Sequence, residues 1–581
     1  MGCGSAPQRH HPAQPSLTSA HRQLVFGASS LPANFNPLTP QGATRATRQT
    51  MAQIWPSPFI ITPQFSPTIN YAFVSSAELV SVNPETIVYQ INPKAKWSDG
   101  VPISVDDFIY NWHAQSGDPS YRDVGGMPYS VNSTLGYSDI ASIVGSNNGK
   151  QVKVIFKSPF SDWESLFDPL VPAHVAQKYG WNSGFTTYNP AIEVSGGPYE
   201  ISSVSSQQVV LSVNPNYWGT PPQIDQVILR LDPNADQYAN QLATDQIQVV
   251  ETPGEVNVLQ QIDGLANVAQ PVQLTPTLGF EELDFNQNDP TLAKLLIRQA
   301  IANYTDRNAL IAAGPGQMAL SGPIPQEDDN HIYVPAQSGQ YQPNGSAYDS
   351  PHPNLAARQL VQAGYVQGSD NMWHADTKTG PVLSFSLLAD ESDPILEAVA
   401  ETFVSQMKAS GIEVNLVNQS ATQIDNSLLS GSWQLALVTQ HSSPFPASFA
   451  TIYSDPQLLA PTSNTTTSSA SIQSGQSTTT TSAASGSTGK PLNYFGYNNT
   501  LVDQLFSKAI TNPDLFDASE DYNMIDTQLW SDMVSLPIYE DLEIVANTMD
   551  VNGVLANPSN STIFWNLNQW TMTTDLRKQG K

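Results

Sequence analysis

"KAKWSDGVPISVDDF", residues 94–108, packs an aromatic anchor, a tight turn, a proline and a helix start into one short run. Trp97 ends a strand as a large anchor, Asp99-Gly100 makes the turn, and Pro102 stiffens the exit. Ser104 is placed to cap a helix, with Asp107 three residues on as its capping-box partner. This is a scaffold device: without partners, nothing in it can serve as nucleophile or base.

Outward from this stretch, "ELVSV" (78–82), a turn at Asn83-Pro84-Glu85 and "TIVYQI" (86–91) read as a hairpin. "RQLVFGASS" (22–30) reads as a first strand, and residues 32–55 turn into a helix. "VKVIF" (152–156), "QQVVLSV" (207–213), "QVILRL" (226–231) and "QIQVVE" (246–251) are further strands. "AKLLIRQAIANYTD" (293–306) and "PILEAVAETFVSQMKASG" (394–411) are amphipathic helices, the second closed by Gly411. "EVNLVNQ" (413–419) and "WQLALVTQ" (433–440) read as buried strands. Helices and strands alternate throughout, so the class is α/β. Residues 461–489, almost wholly Ser, Thr, Ala and Gly, cannot bury enough apolar surface to offset their ordering entropy and read as a disordered loop.

The 581 residues suffice for about three domains. No run of about 18 apolar residues occurs, so no membrane span is expected. A net charge of −28 argues against nucleic acid and anionic lipid surfaces as partners. The charged fraction is only 13%, so Ser, Thr, Asn and Gln must wet the surface. That suits an extracellular protein, including one living at low pH. The single cysteine, Cys3, excludes an internal disulfide and a Cys-rich metal site. Its setting, Gly-Cys followed by a small, polar, proline-containing stretch, looks like the start of a mature bacterial lipoprotein. Cys3 would then carry the lipid, and residues 1–22 would be a disordered tether anchoring the protein to the outer face of the cell membrane.

"KWSDGVPISVDDF" resembles the signature of the family 5 solute-binding proteins of ABC importers, the oligopeptide, dipeptide and nickel binders. "FNPL" (35–38), "VSGGPYEI" (194–201) and "NPNYWGTPPQIDQVILRL" (214–231) match it in order. So do "DFNQNDPTLAKLLIRQAIANYTDRNALI" (284–311), "NLAARQLVQAGYV" (354–366) and "VDQLFSKAI" (502–510). "SAELVSVNPETIVYQINPKAKWSDG" (76–100) is similar to the actinobacterial lipoprotein branch of the LpqW type. The resemblance implies a two-lobed periplasmic-binding-protein-like fold (type II, cluster C) with an extra inserted domain. Domain I would be 23–56, 195–280 and 545–575; domain II, inserted, 57–194; domain III 281–544, with hinges near 280 and 545. Lobe closure would trap a small-molecule ligand for an ABC permease, with no cofactor, and the protein would be a monomer.

In peptide-binding members one ligand-contacting stretch follows the Leu-Asp-Pro turn, here residues 39–43, and another follows the strand matching 433–440. The family's aspartate for the ligand ammonium falls on Ser442 or Ser443. No acidic residue lies between Asp425 and Asp455, and no arginine between Arg358 and Arg577. A buried ammonium without a counter-charge costs several kcal/mol. The ligand is therefore expected to be a blocked or internal peptide, or another neutral oligomer such as a sugar. The candidate ligand contacts are Gln41, Ala43, Phe280, Thr439, His441, Ser442 and Ser443. The nine histidines are scattered and form no metal set, with His10-His11 lying in the tether. Asp106-Asp107 and Asp328-Asp329 read as helix-start and turn residues, and no hydrolase, zinc-protease or nucleotide motif occurs, so no catalytic residue is expected. The missing charged anchors leave a second reading open: an envelope lipoprotein of the same fold that regulates glycolipid or polysaccharide assembly through protein contacts.

Overall fold

The computed structural model describes residues 22–316, 328–334, 336, 338–454, 493–559 and 561–573. Cys3, nearly all of the tether and the Ser/Thr-rich stretch 461–489 lie outside the described residues.

The opening stretch folds as its sequence dictates. Trp97 is fully buried, and its N–H donates to Val101 O across the turn. Gly100 takes a φ of 93°, which a side chain would resist. Ser104 caps the helix Val105–Gln115, and its own N–H donates to the Asp107 carboxylate (3.0 Å), closing the capping box. The other Asp107 oxygen accepts from Ala173 N (3.0 Å), tying this helix to the next one. Lys150 Nζ donates to Ala95 O and Ile103 O, both at 2.7 Å, and pins the turn to its neighbouring strand.

A ten-stranded mixed sheet runs through the molecule. Its order is Glu413–Gln419, Ser384–Asp390, Leu435–His441, Gln273–Phe285, Ser535–Asn547, Val249–Pro253, Gln23–Ala28, Gln226–Leu231, Gln208–Val213 and Tyr199–Val204. Parallel pairs occur in both halves, at 23–28 with 226–231 and at 384–390 with 413–419. The central strands, Gln273–Phe285 and Ser535–Asn547, are 13 residues each, and both halves share them. Their antiparallel register breaks between Pro276 and Phe280. Thr277 and Gly279 form a bulge there, with Gly279 N donating to Thr277 Oγ1 (2.8 Å).

A separate four-stranded sheet, ordered Val74–Val82, Glu85–Ile91, Gln151–Phe156 and Ile140–Ser146, shares one apolar core with the first half of the large sheet. The second half has its own cores around Leu283, Phe403 and Leu437 and around Phe449, Phe506 and Tyr522. The strand Glu413–Gln419 corrects one expectation. It was read as buried, yet of its seven residues only Val414 is, because the strand sits at the sheet edge and is covered on one side only. The helix expected across 32–55 is confined to Arg45–Met51, preceded by hydrogen-bonded turns at Asn36–Gly42.

Candidate functional site

The bulge at Thr277–Gly279 is where the two halves of the sheet meet. A Cβ on Gly279 would stand 2.6 Å from Asp541 Oδ2, so the glycine leaves the room that the Asp541 carboxylate occupies. On the second-half side, Thr439 Oγ1 donates to Glu281 Oε1 at 2.7 Å. Burial pushes the Asp541 carboxyl above its usual range, and the nearby Asp393 pushes it further. On the first-half side, Arg45 bridges Glu251 (2.8 Å) and Glu543 (3.1 Å), and Gln49 also donates to Glu251. Burial and the Glu251 charge raise the Glu543 carboxyl, against the pull of Arg45.

Arg45 thus holds two carboxylates together. Arg45→Met is expected to cost about 2 kcal/mol at pH 7.5, below the value for a fully buried pair because 41% of the Arg45 side chain is exposed. The loss should grow at pH 9, where Glu543, raised to about 8 in the folded protein, has released its proton and its carboxylate depends on the guanidinium. Denaturation midpoints of both proteins at the two pH values check this, and an equal loss at both would refute it.

The sequence-derived contacts divide in two. Gln41 is exposed and Ala43 half-buried, in the turn before helix Arg45–Met51. Thr439, His441, Ser442 and Ser443 lie together at the end of strand Leu435–His441, with His441 paired in register with Gly279. Ser442 is buried and occupied: its hydroxyl donates to Ile332 O (2.7 Å) and accepts from Val334 N (3.2 Å). Ser443 Oγ accepts from Phe445 N (3.0 Å). Phe280 has no exposed surface, so its ring offers no face to a ligand in this arrangement.

A cavity that none of these residues lines lies in the first half, between helix Arg45–Met51, the inserted sheet's flank and the C-terminal turns. Its volume is about 120 Å³, near that of a cavity that holds one small ring. Arg48, Gln53, Asp168, Tyr217, Trp218 and Asn568 line it. Burial pushes the Arg48 guanidinium down and Asp168 offsets part of this; burial raises the Asp168 carboxyl. Asp162 accepts from Ala447 N (2.8 Å) and Ser161 N donates to Ile510 O (2.7 Å). The inserted region therefore touches the second half.

Bacterial extracellular solute-binding proteins, family 5, match residues 68–457. The chain belongs to this family. A relative from Mycobacterium tuberculosis, named probable monoacyl phosphatidylinositol tetramannoside-binding protein LpqW, is 25% identical over 431 residues, 68% of this chain and 64% of that one. The oligopeptide-binding protein OppA of Mycobacterium bovis is 30% identical over 351 residues, 59% of this chain and 56% of that one. Each alignment thus spans less than two thirds of the relative's length. The solved structure of the periplasmic EDTA-binding protein EppA superposes with a TM-score of 0.79 at 22% identity, covering 95% of this chain and 97% of that one, which is a likeness of fold.

Within this family 5 solute-binding protein, sequence reasoning missed Arg48, Asp168, Tyr217, Trp218 and Asn568. Tyr217 and Trp218 were in view as part of the matched "NPNYWG" segment, but a motif does not say what its residues face. Arg48 carried a signal: it is one of only 23 basic residues and shares with Arg45 a helix that holds no acidic residue. Asp168 and Asn568 are 400 positions apart, and only the fold brings them to one wall.

Proposed function

We propose that the protein is an extracytoplasmic solute receptor that captures a small molecule between two lobes and hands it to an ABC permease. The observation that carries this is the pair of 13-residue strands shared by both halves of the sheet and bulged at Thr277–Gly279. Two strands with a local break in register bend there more easily than a packed core deforms. The domain division 23–56 with 195–280 and 545–575, 57–194, and 281–544 follows the same junction, with residues 574–575 outside the described ones. The solute is read as seating between the lobes, with Thr439, His441 and Ser443 contacting it from the second lobe and Gln41 and Ala43 from the first.

The ligand is read as one that brings no ammonium group to this loop. Both serines at the position of the family's aspartate are engaged within the protein. A lipid on Cys3 would anchor the receptor to the membrane, and it would work as a monomer. The name of the M. tuberculosis relative favours a second reading, an envelope lipoprotein that senses a glycolipid and acts through protein contacts.

A thermal-shift screen of the full chain over blocked peptides, free peptides and oligosaccharides tests the receptor reading. A true ligand at about 100 times its Kd stabilises the folded state by about 2.7 kcal/mol, and X-ray scattering in solution should show a smaller radius of gyration with it bound. A ligand that stabilises without compaction would refute closure at the bulge.

A further inference from the structure

The inserted region holds the second lobe through the turn at Ser161–Asp162, and both residues are buried. Ser161 N donates to Ile510 O (2.7 Å), at the end of helix Thr500–Ile510. The Asp162 carboxylate accepts from Ala447 N (2.8 Å), in the turn Pro446–Phe449. Ala447 is fully buried in the apolar core of the first half, and Ile510 packs against that core and against one of its own lobe. None of these residues belongs to the shared strands Gln273–Phe285 and Ser535–Asn547. Lobes that part about the bulge must therefore break both hydrogen bonds and wet the apolar contact.

Among the described residues no cation pairs with the Asp162 carboxylate. Ser161 Oγ donates to it (3.4 Å), and Glu164 faces it from its own turn. Tyr333 and Tyr522, both buried, face it from the second lobe. Lys508, two residues before Ile510, is committed to Asp521 (2.7 Å). Glu85, which accepts from Phe160 N (2.6 Å), stays with Ser161 in the first lobe. A charged carboxylate enclosed by rings and a second carboxylate costs free energy. A protonated one escapes that cost and keeps its carbonyl oxygen for Ala447 N.

We propose that the Ser161–Asp162 turn is a proton-gated latch that fastens the inserted region to the second lobe and holds more firmly in acid. In the latched form burial pushes the Asp162 carboxyl up to about 7. Parted lobes would return it to water and to its ordinary value near 4. Latching therefore takes up a proton between those values. The latched-to-parted ratio rises about tenfold for each pH unit lost on the way from about 7 to about 4. The proposal rests on the two-lobed receptor reading, since a latch needs lobes that part.

Hydrogen exchange of the ligand-free full chain tests it, read at the Ala447 and Ser161 amides and corrected for the intrinsic rate, because protection there reports the latched-to-parted ratio. Protection at both amides is expected to rise about tenfold per pH unit from pH 7 to pH 5. It should stay below that of the core strand Leu435–His441, which opens only with the whole fold. Asp162→Asn, whose amide oxygen can still accept from Ala447 N, should raise protection at pH 7.5 and remove the slope. The profile of the unsubstituted chain stands by itself if that variant fails to fold. A pH response at Ala447 that Ser161 does not share would reduce the contact to local fraying and overturn the latch. A flat profile below the level of the core strand, or an unchanged slope in Asp162→Asn, would strike the latch alone and leave the receptor reading standing. Protection at both amides equal to that of the core strand would show lobes that do not part, and would count against the receptor reading as well.

Discussion

Heated at pH 5, the protein is expected to unfold at least about 5 °C higher than at pH 7.5. Glu85, Asp162 and Glu540 are the reason. They are 1%, 6% and 2% exposed, and each accepts a backbone N–H from a distant segment: Phe160, Ala447 and Ala336 respectively. No lysine, arginine or histidine among the described residues pairs with them. Burial raises each carboxyl to about 7. In the unfolded chain the same groups titrate near 4. Between those values the folded protein holds protons that the unfolded chain has released, so folding gains as pH falls through the window from about 7 to about 4. Each group contributes on the order of 3 kcal/mol over the full window. The opposing shifts belong to His113, whose imidazole burial pulls down, and to Asp118 and Asp370, whose carboxyls hydrogen bonds pull down at the surface.

Net charge pushes the same way, since acid relieves the self-repulsion of a chain at −28. The two causes separate with salt. Repulsion among exposed charges is screened at about 0.5 M NaCl, whereas buried carboxyls are not. Most of the gain at pH 5 should therefore survive in salt, and Asp162→Asn should flatten part of the slope. A melting temperature that peaks at pH 7.5, or a gain that salt at pH 7.5 reproduces in full, would refute the account. An acid-preferring fold agrees with a surface wetted by uncharged polar residues.

Arg307→Met is expected to lower stability by about 3–5 kcal/mol, the largest loss from any single substitution considered for this protein. Arg307 is fully buried. Its Nη1 donates to Asp328 O (2.7 Å) and Pro537 O (3.2 Å), and its Nη2 to Asp329 (2.7 Å) and Asp349 (3.0 Å). Trp530 covers its face at 5.7 Å. The Arg307 Nε also donates to Tyr348 O (3.3 Å). Methionine fills much of the volume but leaves the Asp329 and Asp349 carboxylates and three carbonyls without this donor. Arg307→Lys should recover little, since one ammonium cannot reproduce a planar fork aimed at five acceptors. Urea denaturation with the m-value held fixed measures the loss. A change below about 1 kcal/mol would show that the pair contributes no net stability.

The role of Arg307 also shows what a sequence motif means here. Asp306 caps helix Arg307–Ala313, Arg298 donates to Asp532 O and Met533 O at the end of helix Leu515–Asp532 and to Leu292 O ahead of its own helix, and Arg307 ties Asp328, Asp329 and Asp349 to the crossing strand. The matched run 284–311 is thus a structural knot of the second lobe. Asp328 and Asp329, read as turn residues, belong to the same knot: Asp328 is fully buried and Asp329 is a partner of Arg307.

Local rules made the strand–turn–helix at 94–108, the hairpin of 78–91 and the Gly411 stop legible, because caps, turns and alternation act within a few residues. The family resemblance made the two-lobed plan legible, because its matched segments occur in order along the chain. The ligand-contacting walls were not legible, since they depend on which distant side chains converge. Ser442 looked available and proved to be tied to Ile332 and Val334, 108 to 110 positions away. Arg48, Asp168 and Asn568 looked unrelated and share a cavity. Hydrogen bonding and burial are satisfied in three dimensions, so sequence alone determined the elements and their order, while only the tertiary structure decided which polar groups are spent and which are left for a ligand.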